Sequence, residues 1–156
     1  MISPQQNIEG HVVAADANAS ADSGAPVLIL AGGTGDGVKI TGVSIDCIGV
    51  KSIALVTSYL AALTDTKTLA LAHELQESAD NSSWDSAEVI EASTVKGTGT
   101  TGGTNERGVC EFAINMHARK RYIRFNVTPE LSASATDTAT FHTIAVKGGH
   151  DVLPAA

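Results

Sequence analysis

The stretch GVCEFAINMHARKRYIRFNVT, residues 108–128, decides the fold class of this chain, because it holds two alternating segments joined by a basic segment. A period of two puts successive side chains on opposite faces of a β-strand. Each segment therefore predicts a strand with one apolar face in a core and a polar face, here including Arg124 and Asn126, outside it. The predicted core residues are Cys110, Phe112, Ile114 and Met116 in the first segment, and Ile123, Phe125 and Val127 in the second.

Six further segments, before and after this stretch in the sequence, have the composition of strands. Connectors rich in Gly, Asp, Ser and Thr separate them. The Ala- and Leu-rich residues 51–78 also suit a helix, but their β-branched first half and the alternation of Leu69, Leu71, His73 and Leu75 favour strands. We predict an all-β fold, a two-sheet β-sandwich or jelly roll of about eight strands. The predicted strands are residues 27–31, 38–48, 51–60, 67–77, 87–92, 108–116, 121–128 and 138–147.

The length of 156 residues fits one domain. Residues 1–26 are small, polar and without helical periodicity, which predicts a flexible N-terminal arm. Residues 27–147 form the predicted sandwich domain, and residues 148–156 form a C-terminal tail.

The charge balance narrows the class of partner. A net charge of −7 and a pI near 5.0 argue against a protein whose whole surface binds nucleic acid or an anionic membrane. No Lys or Arg precedes Lys39, and no apolar run approaches the roughly 18 residues of a membrane span. We expect a soluble protein made in the cytoplasm, with no membrane partner. In that reducing compartment Cys47 and Cys110 are expected to be buried thiols and not a disulfide.

The glycine-rich stretch LILAGGTGDGVKI, residues 28–40, looks at first like a phosphate-binding loop. The dinucleotide fingerprint fails, because counting from Gly33 its third glycine falls on Val38. The P-loop fails as well, because no Gly-Lys-Ser/Thr occurs, and the β-branched residues that follow predict a strand where both motifs need a helix. A turn between strands, with glycine supplying positive φ, is the interpretation.

No motif in the sequence predicts catalysis, a metal or a cofactor. The five histidines lack metal-binding spacing, and no G-x-S-x-G nucleophile elbow is present. The segment DNSSWD, residues 80–85, concentrates oxygen ligands but lacks the glycine and the distal glutamate of an EF-hand. It predicts an Asx-type hairpin turn, beside which Trp84 is expected to be at least partly buried. We expect a non-enzymatic protein.

The most unusual local feature is the basic segment ARKRYIR, residues 118–124, in an otherwise acidic chain. Cations interleaved with an aromatic bind single-stranded nucleic acid in some proteins. The alternatives are a solvated strand edge and a patch that docks on an acidic protein partner. The overall negative charge makes nucleic acid the least favoured of the three. The four cations of this segment are Arg119, Lys120, Arg121 and Arg124.

Three segments together resemble a known family. They are LALAHELQESADNSSWDSAEVI, KRYIRFNVTPELSASATDTATFHTIAVKGG and HDVLP, which fall within residues 67–154. Their order of strand, Asp-Asn-Ser-Ser-Trp hairpin, aromatic-flanked arginine strand, last strand and Gly-Gly-His-Asp tail resembles the capsid cement, or decoration, proteins of tailed bacteriophages, typified by the jelly-roll cement protein of a Bordetella phage. The likeness covers about half of the chain.

The resemblance implies a virion structural protein, made in the cytoplasm of the host bacterium, that binds the outer surface of a phage capsid and stabilises the shell. It implies two partners, the major capsid protein and the chain itself as a homodimer or homotrimer. The basic segment becomes a candidate capsid-docking patch, and residues 1–26, 96–108 and 148–156 become candidate extensions. The alternatives are a tail or head-tail component with the same fold, and a carbohydrate-binding β-sandwich module, which the scarcity of aromatic residues disfavours.

Overall fold

In the computed structural model of the chain, residues 12–16, 27–29 and 36–149 are described, the first two ranges as backbone. The tail 150–156 and most of the predicted arm lie outside the described residues. The strand segments are β1 (Val12–Asp16), β2 (Val27–Ile29), β3 (Ile40–Thr41), β4 (Ile45–Asp46), β5 (Ser52–Leu63), β6 (Thr68–Ser78), β7 (Glu88–Thr98), β8 (Thr104–Asn115), β9 (Tyr122–Leu131) and β10 (Thr138–Gly148).

These segments form two antiparallel sheets. Sheet I has the order β1/β2, β10, β5, β8, and sheet II has the order β3/β4, β9, β6, β7. Strands β1 and β2 pair with successive parts of β10, and β3 and β4 pair with successive parts of β9, so each couple is one interrupted edge strand. Each sheet thus has four strand positions, and the chain crosses repeatedly between the sheets. The all-β sandwich of jelly-roll type predicted from the sequence is confirmed.

The inward faces of the two sheets form a core in two parts. The alternation predicted for β6 is confirmed, because Leu69, Leu71, His73 and Leu75 are all buried. One cluster lies at the end of the sandwich near Ile53 and Phe125, and the other lies near Leu63 and Phe141. Cys47 and Cys110 belong one to each cluster, and both are buried and free, as predicted. The predicted core faces of β8 and β9 also point inward.

Strand β9 differs from its predicted half-buried state, because Asn126 on its outer face is only 1% exposed. The strand lies inside sheet II between β3/β4 and β6, and the Asn126 amide donates a hydrogen bond to Gln76 Oε1 at 3.1 Å. Period-two alternation assigns a side chain to a face, but neighbouring strands decide whether that face is covered.

The largest correction concerns residues 96–108, which were expected to form one of the candidate extensions. Strand β7 continues to Thr98 and β8 begins at Thr104, so the connection is residues 99–103 alone. Gly99 donates a backbone hydrogen bond to Lys67 O and accepts one from Thr66 N. A Cβ at Gly99 would lie 2.0 Å from Thr64 O. The glycine therefore serves close packing of two hairpin ends, and not flexibility.

The segment 38–48 is likewise not one strand, because Ile40–Thr41 and Ile45–Asp46 are separated by residues that do not pair regularly. Gly42 N still donates to Phe125 O in this gap. Just before it, Gly37 has φ 66° and its N–H donates to Pro129 O, so a glycine turn precedes β3 as predicted. Residues 30–35 of the glycine-rich stretch lie outside the described residues.

Substituting Gly99→Ala is expected to lower the free energy of unfolding by at least about 2 kcal/mol, because the new Cβ overlaps the Thr64 carbonyl and separates the two turns. Gly102→Ala is the control, because its Cβ meets nothing within 4 Å and only its positive φ is strained, at a cost of about 1 kcal/mol. Urea denaturation of both variants measures the difference. Equal stability of the two variants would show that the close approach at Gly99 is unimportant.

Candidate functional site

A chain of polar side chains crosses the interior of the sandwich. The ring of His73 on β6 is completely buried. Its Nε2 lies 3.1 Å from Thr57 Oγ1 on β5, and its Nδ1 lies 3.2 Å from Glu91 Oε2 on β7. Thr57 Oγ1 lies 3.0 Å from Thr143 Oγ1 on β10, and Lys96 Nζ donates to Glu91 Oε1 at 2.6 Å. The chain thus connects two strands of sheet I to the edge of sheet II.

The order hydroxyl, imidazole, carboxylate is the order found in nucleophilic catalytic triads. Sequence reasoning missed it, because Thr57, His73 and Glu91 come from three separate strands and share no local motif. A nucleophile must meet its substrate, however, and both Thr57 and His73 are 0% exposed. The Phe112 ring also packs at 4.7 Å from the imidazole. In this packing the arrangement supports the two sheets and reaches no substrate.

The protonation state of His73 follows from its neighbours. Burial lowers the pKa of His73, and the nearby Glu91 carboxylate opposes that effect only in part. The neutral ring donates from Nδ1, because an ionised Glu91 carboxylate is an acceptor only. Nε2 then accepts from the Thr57 hydroxyl, which in turn accepts from Thr143. Every polar atom of the imidazole is satisfied inside the core.

Because the pKa of His73 is lower in the folded chain than in the unfolded chain, the unfolded chain binds more protons once the pH falls below about 6.5. The stabilisation is present above that pH and is lost as the pH falls further. We expect the free energy of unfolding of the wild type to fall from pH 7.5 to pH 5.0 more steeply than that of His73→Gln, whose overall stability is lower by about 1–3 kcal/mol.

Urea denaturation at several pH values measures both slopes. His117→Gln serves as the control, because it makes the same substitution at an exposed histidine. Parallel pH profiles for the wild type and His73→Gln would contradict the assignment of a neutral buried ring.

The predicted docking patch lies on and beside the turn between β8 and β9. Arg119 N donates to Met116 O, and Ala118 adopts φ 65°, which closes this turn tightly. The turn presents three consecutive cations to the β6–β7 hairpin and to β4. The structure brings all four predicted cations to one end of sheet II.

Each of these cations has a partner within the chain. Arg119 forms ion pairs with Glu77 and Glu88, and Lys120 forms one with Asp85 at 2.7 Å. Arg121 binds the Asp46 carboxylate through two nitrogens, at 3.0 and 2.6 Å. Arg124 lies 4.2 Å over the Trp84 ring and donates to Gln76 Oε1. We call this set of cations and their partners the ion-pair cluster.

The electrostatics follow from this pairing. The hydrogen bond from Arg121 lowers the pKa of Asp46, and the hydrogen bond from Arg119 lowers the pKa of Glu88. The Glu88 and Glu77 carboxylates in turn raise the pKa of Arg119. The positive charge seen in the sequence is therefore balanced locally by four carboxylates that are distant in sequence. A docking role for this patch stays a prediction.

The hairpin beside the cluster has the predicted Asx turn. Asp80 Oδ1 accepts hydrogen bonds from Ser82 N at 2.9 Å and from Ser83 N at 2.8 Å. These bonds lower the pKa of Asp80. Trp84 is partly buried, as expected from the sequence. Within residues 12–16, 27–29 and 36–149, no group of three or more His, Cys, Asp or Glu side chains is placed to hold a metal ion.

The outer faces of the two sheets differ in character. The outer side of sheet II carries the Lys39–Glu74 ion pair, Arg124 and Glu130. The outward positions of β5 and β10 in sheet I carry no formally charged residue. Those on β5 are Ala54, Val56, Ser58, Leu60 and Ala62, and those on β10 are Thr138, Thr140, His142, Ile144 and Val146. We call this surface, together with the outward side of β8, the sheet I face.

Comparison with known proteins returns structural likenesses at low identity. A structure of the infectious bursal disease virus Gx strain is 18% identical, with a TM-score of 0.49, over 92% of this chain and 34% of that chain. The PBSX exported protein XepA is 16% identical, with a TM-score of 0.39, over 99% and 43%. The CBM22-1-GH10 modules of a Clostridium thermocellum xylanase in complex with xylohexaose are 15% identical, with a TM-score of 0.43, over 96% and 28%.

The chain thus spans about a third of the length of the virus chain that it resembles. No protein-family model and no curated protein sequence matches it. Because these TM-scores lie below 0.5, function has to be argued from the surfaces of this chain itself. No helix among the described residues is long and apolar enough to cross a membrane.

Trp84→Ala is expected to lower the free energy of unfolding by about 2 kcal/mol, less than for a fully buried aromatic residue, because the ring is partly exposed and stacks on Arg124. Trp84→Phe is the matched variant, because it keeps an aromatic face under the guanidinium. Thermal and urea denaturation compare the two. Unchanged stability of Trp84→Ala would remove Trp84 as an anchor of the hairpin.

Proposed function

We propose that this chain is a non-enzymatic structural protein of a tailed-phage virion, which binds the outer surface of the capsid and stabilises the shell. The observation that carries the proposal is the pair of unlike outer faces on one β-sandwich. The sheet I face is uncharged over β5 and β10, and one end of sheet II carries the ion-pair cluster. A protein that joins shell subunits needs separate contact surfaces more than it needs a pocket.

The interior of the molecule supports the same role. The residues most like a catalytic set, Thr57, His73 and Glu91, are used to join the sheets and not to meet a substrate. Long strands paired over their whole length make a stiff scaffold, because β5 pairs with β8 and β10 along nearly all of its residues. A stiff scaffold loses little conformational entropy on attachment, so weak contacts repeated around a shell add up.

In this proposal the partners are the major capsid protein and a second or third copy of the chain, at the surface of the virion. Capsid docking uses the ion-pair cluster, with Lys120 and Arg121 as its most exposed cations, at 43% and 47% of their side-chain surface. Arg119 is only 23% exposed and holds two glutamates together, so it serves the turn more than a partner. Acidic residues of the capsid surface would replace Asp85 and Asp46 as the partners of these two cations.

Charge reversal tests the docking surface. Arg121→Glu is expected to keep the fold, because an exposed ion pair contributes little to stability, and to weaken attachment to capsids severalfold at low salt. Lys67→Glu makes the same change of charge at an exposed site away from the cluster, and should attach like the wild type. Co-sedimentation with capsids of the phage that encodes the chain, at 50 and 500 mM salt, measures occupancy of all three proteins.

Equal occupancy of Arg121→Glu and Lys67→Glu at low salt would contradict docking through the cluster. Binding of single-stranded DNA by the free protein, lost in Arg121→Glu, would favour the nucleic-acid interpretation instead. Electron cryomicroscopy of the same particles tests the location, because density for this chain on the tail and not on the shell would favour a tail or head-tail component.

A further inference from the structure

The sheet I face has a central row that runs across three strands. Val109 on β8 pairs with Ser58 on β5, and Ser58 pairs with His142 on β10. These three residues lie on the outward side, because the residues that flank them in each strand point into the core. The row divides the face into two halves, one on each side of it.

The two halves carry opposite charges on β8. On β8, Arg107 lies two residues to one side of Val109, and Glu111 lies two residues to the other. Neither Arg107 nor Glu111 forms an ion pair with a residue in the described part of the chain. On β5, Leu60 and Val56 flank Ser58 in the same way. Leu60 is 50% exposed and Val109 is 64% exposed, and a depression of about 190 Å³ lies beside Leu60 between β5 and β10.

We propose that two copies of the chain pair through their sheet I faces about a twofold axis that runs along the row Val109, Ser58, His142. This deepens the self-association part of the proposed function by naming its surface and its register. Each copy carries a net charge of −7, so two copies repel unless they meet where like charges are absent. The outward residues of β5 and β10 meet that condition, and the outer side of sheet II does not.

The axis fixes which residues meet. A twofold rotation about the row reverses each strand onto its own copy, so Arg107 faces Glu111 of the second copy and Glu111 faces its Arg107. The same rotation places Leu60 over Val56 of the second copy. An isologous interface needs this kind of reciprocal match. Each of the two β8 charges closest to the axis therefore faces a charge of opposite sign on the other copy.

The size of the face sets the expected affinity. Three strand positions about 4.8 Å apart and about nine residues at 3.3 Å each give roughly 430 Å² per copy. Two copies together cover roughly 900 Å², which lies in the range of weak interfaces, just below the lower limit of about 1,000 Å² for a stable one. We therefore expect a dimer that dissociates at micromolar concentration, which repetition around a shell would strengthen.

The sharpest test is a charge exchange. Arg107→Glu alone and Glu111→Arg alone should each shift the dimer dissociation constant at least tenfold towards monomer, because like charges then face each other. The double variant Arg107→Glu/Glu111→Arg should restore dimerisation. Mixing the two single variants should give a heterodimer, because each supplies the charge that the other lacks. Sedimentation velocity at 1–100 μM measures all four samples in low salt.

A second pair of variants separates face-to-face pairing from edge-to-edge pairing of β8 with β8, which would bring the same charges together. Leu60→Asp should abolish the dimer, because Leu60 lies on the face, on β5 and one strand inside the β8 edge. Val95→Asp is the matched control, since Val95 is 55% exposed on sheet II and should dimerise like the wild type. Circular dichroism confirms that each variant is folded.

A wild type that stays monomeric at 100 μM overturns the proposal, and so does a double variant that fails to recover. If Leu60→Asp dimerises normally and the charge exchange also succeeds, the sheet I face is not the interface. That outcome favours pairing through the β8 edge. Capsid attachment is measured separately, so a chain that dimerises but does not bind capsids contradicts the proposed function and leaves this interface standing.

Discussion

The hydrogen bonds of one buried imidazole hold the interior of this sandwich together. His73 lies between the two apolar clusters of the core, and its ring reaches a threonine of sheet I on one side and a glutamate of sheet II on the other. A buried polar ring without partners would cost several times the energy that one hydrogen bond returns. The two sheets must therefore keep the spacing and register at which Thr57, His73 and Glu91 meet, which makes these residues a constraint on the whole fold.

That constraint encloses the polar side chains of the interior and leaves the outer faces of the two sheets for contacts with partners. The side chains that resemble a catalytic triad meet around the buried ring of His73, so the residues available to partners are those on the outer face of each sheet. The antiparallel register assigns them, because the outward positions of β5 and β10 carry uncharged residues while the outer side of sheet II carries ion pairs. Two unlike surfaces on one rigid body suit a protein that contacts a copy of itself on one side and a different partner on the other.

Local sequence predicted much of this fold correctly. Alternation identified the core faces of β6, β8 and β9, and turn residues marked the Asx turn at Asp80. It failed at residues 96–108, because glycine and threonine in a row look like a mobile loop, whereas Gly99 is there to let the Thr64 carbonyl approach. Local sequence also did not show the ion pairs that balance the basic segment, because its carboxylate partners lie 31 to 75 residues away.

The sequence by itself determined the all-β class, the inward and outward residues of the regular strands, and the burial of the two cysteines, because side-chain alternation and turn chemistry act over a few residues. Only the tertiary structure decided which strands are neighbours. Strand pairing between distant segments placed His73 against Thr57 and Glu91, gave each cation of the β8–β9 turn its partner, and lined up Val109, Ser58 and His142 in one row. Those contacts depend on register between strands, which no local pattern encodes.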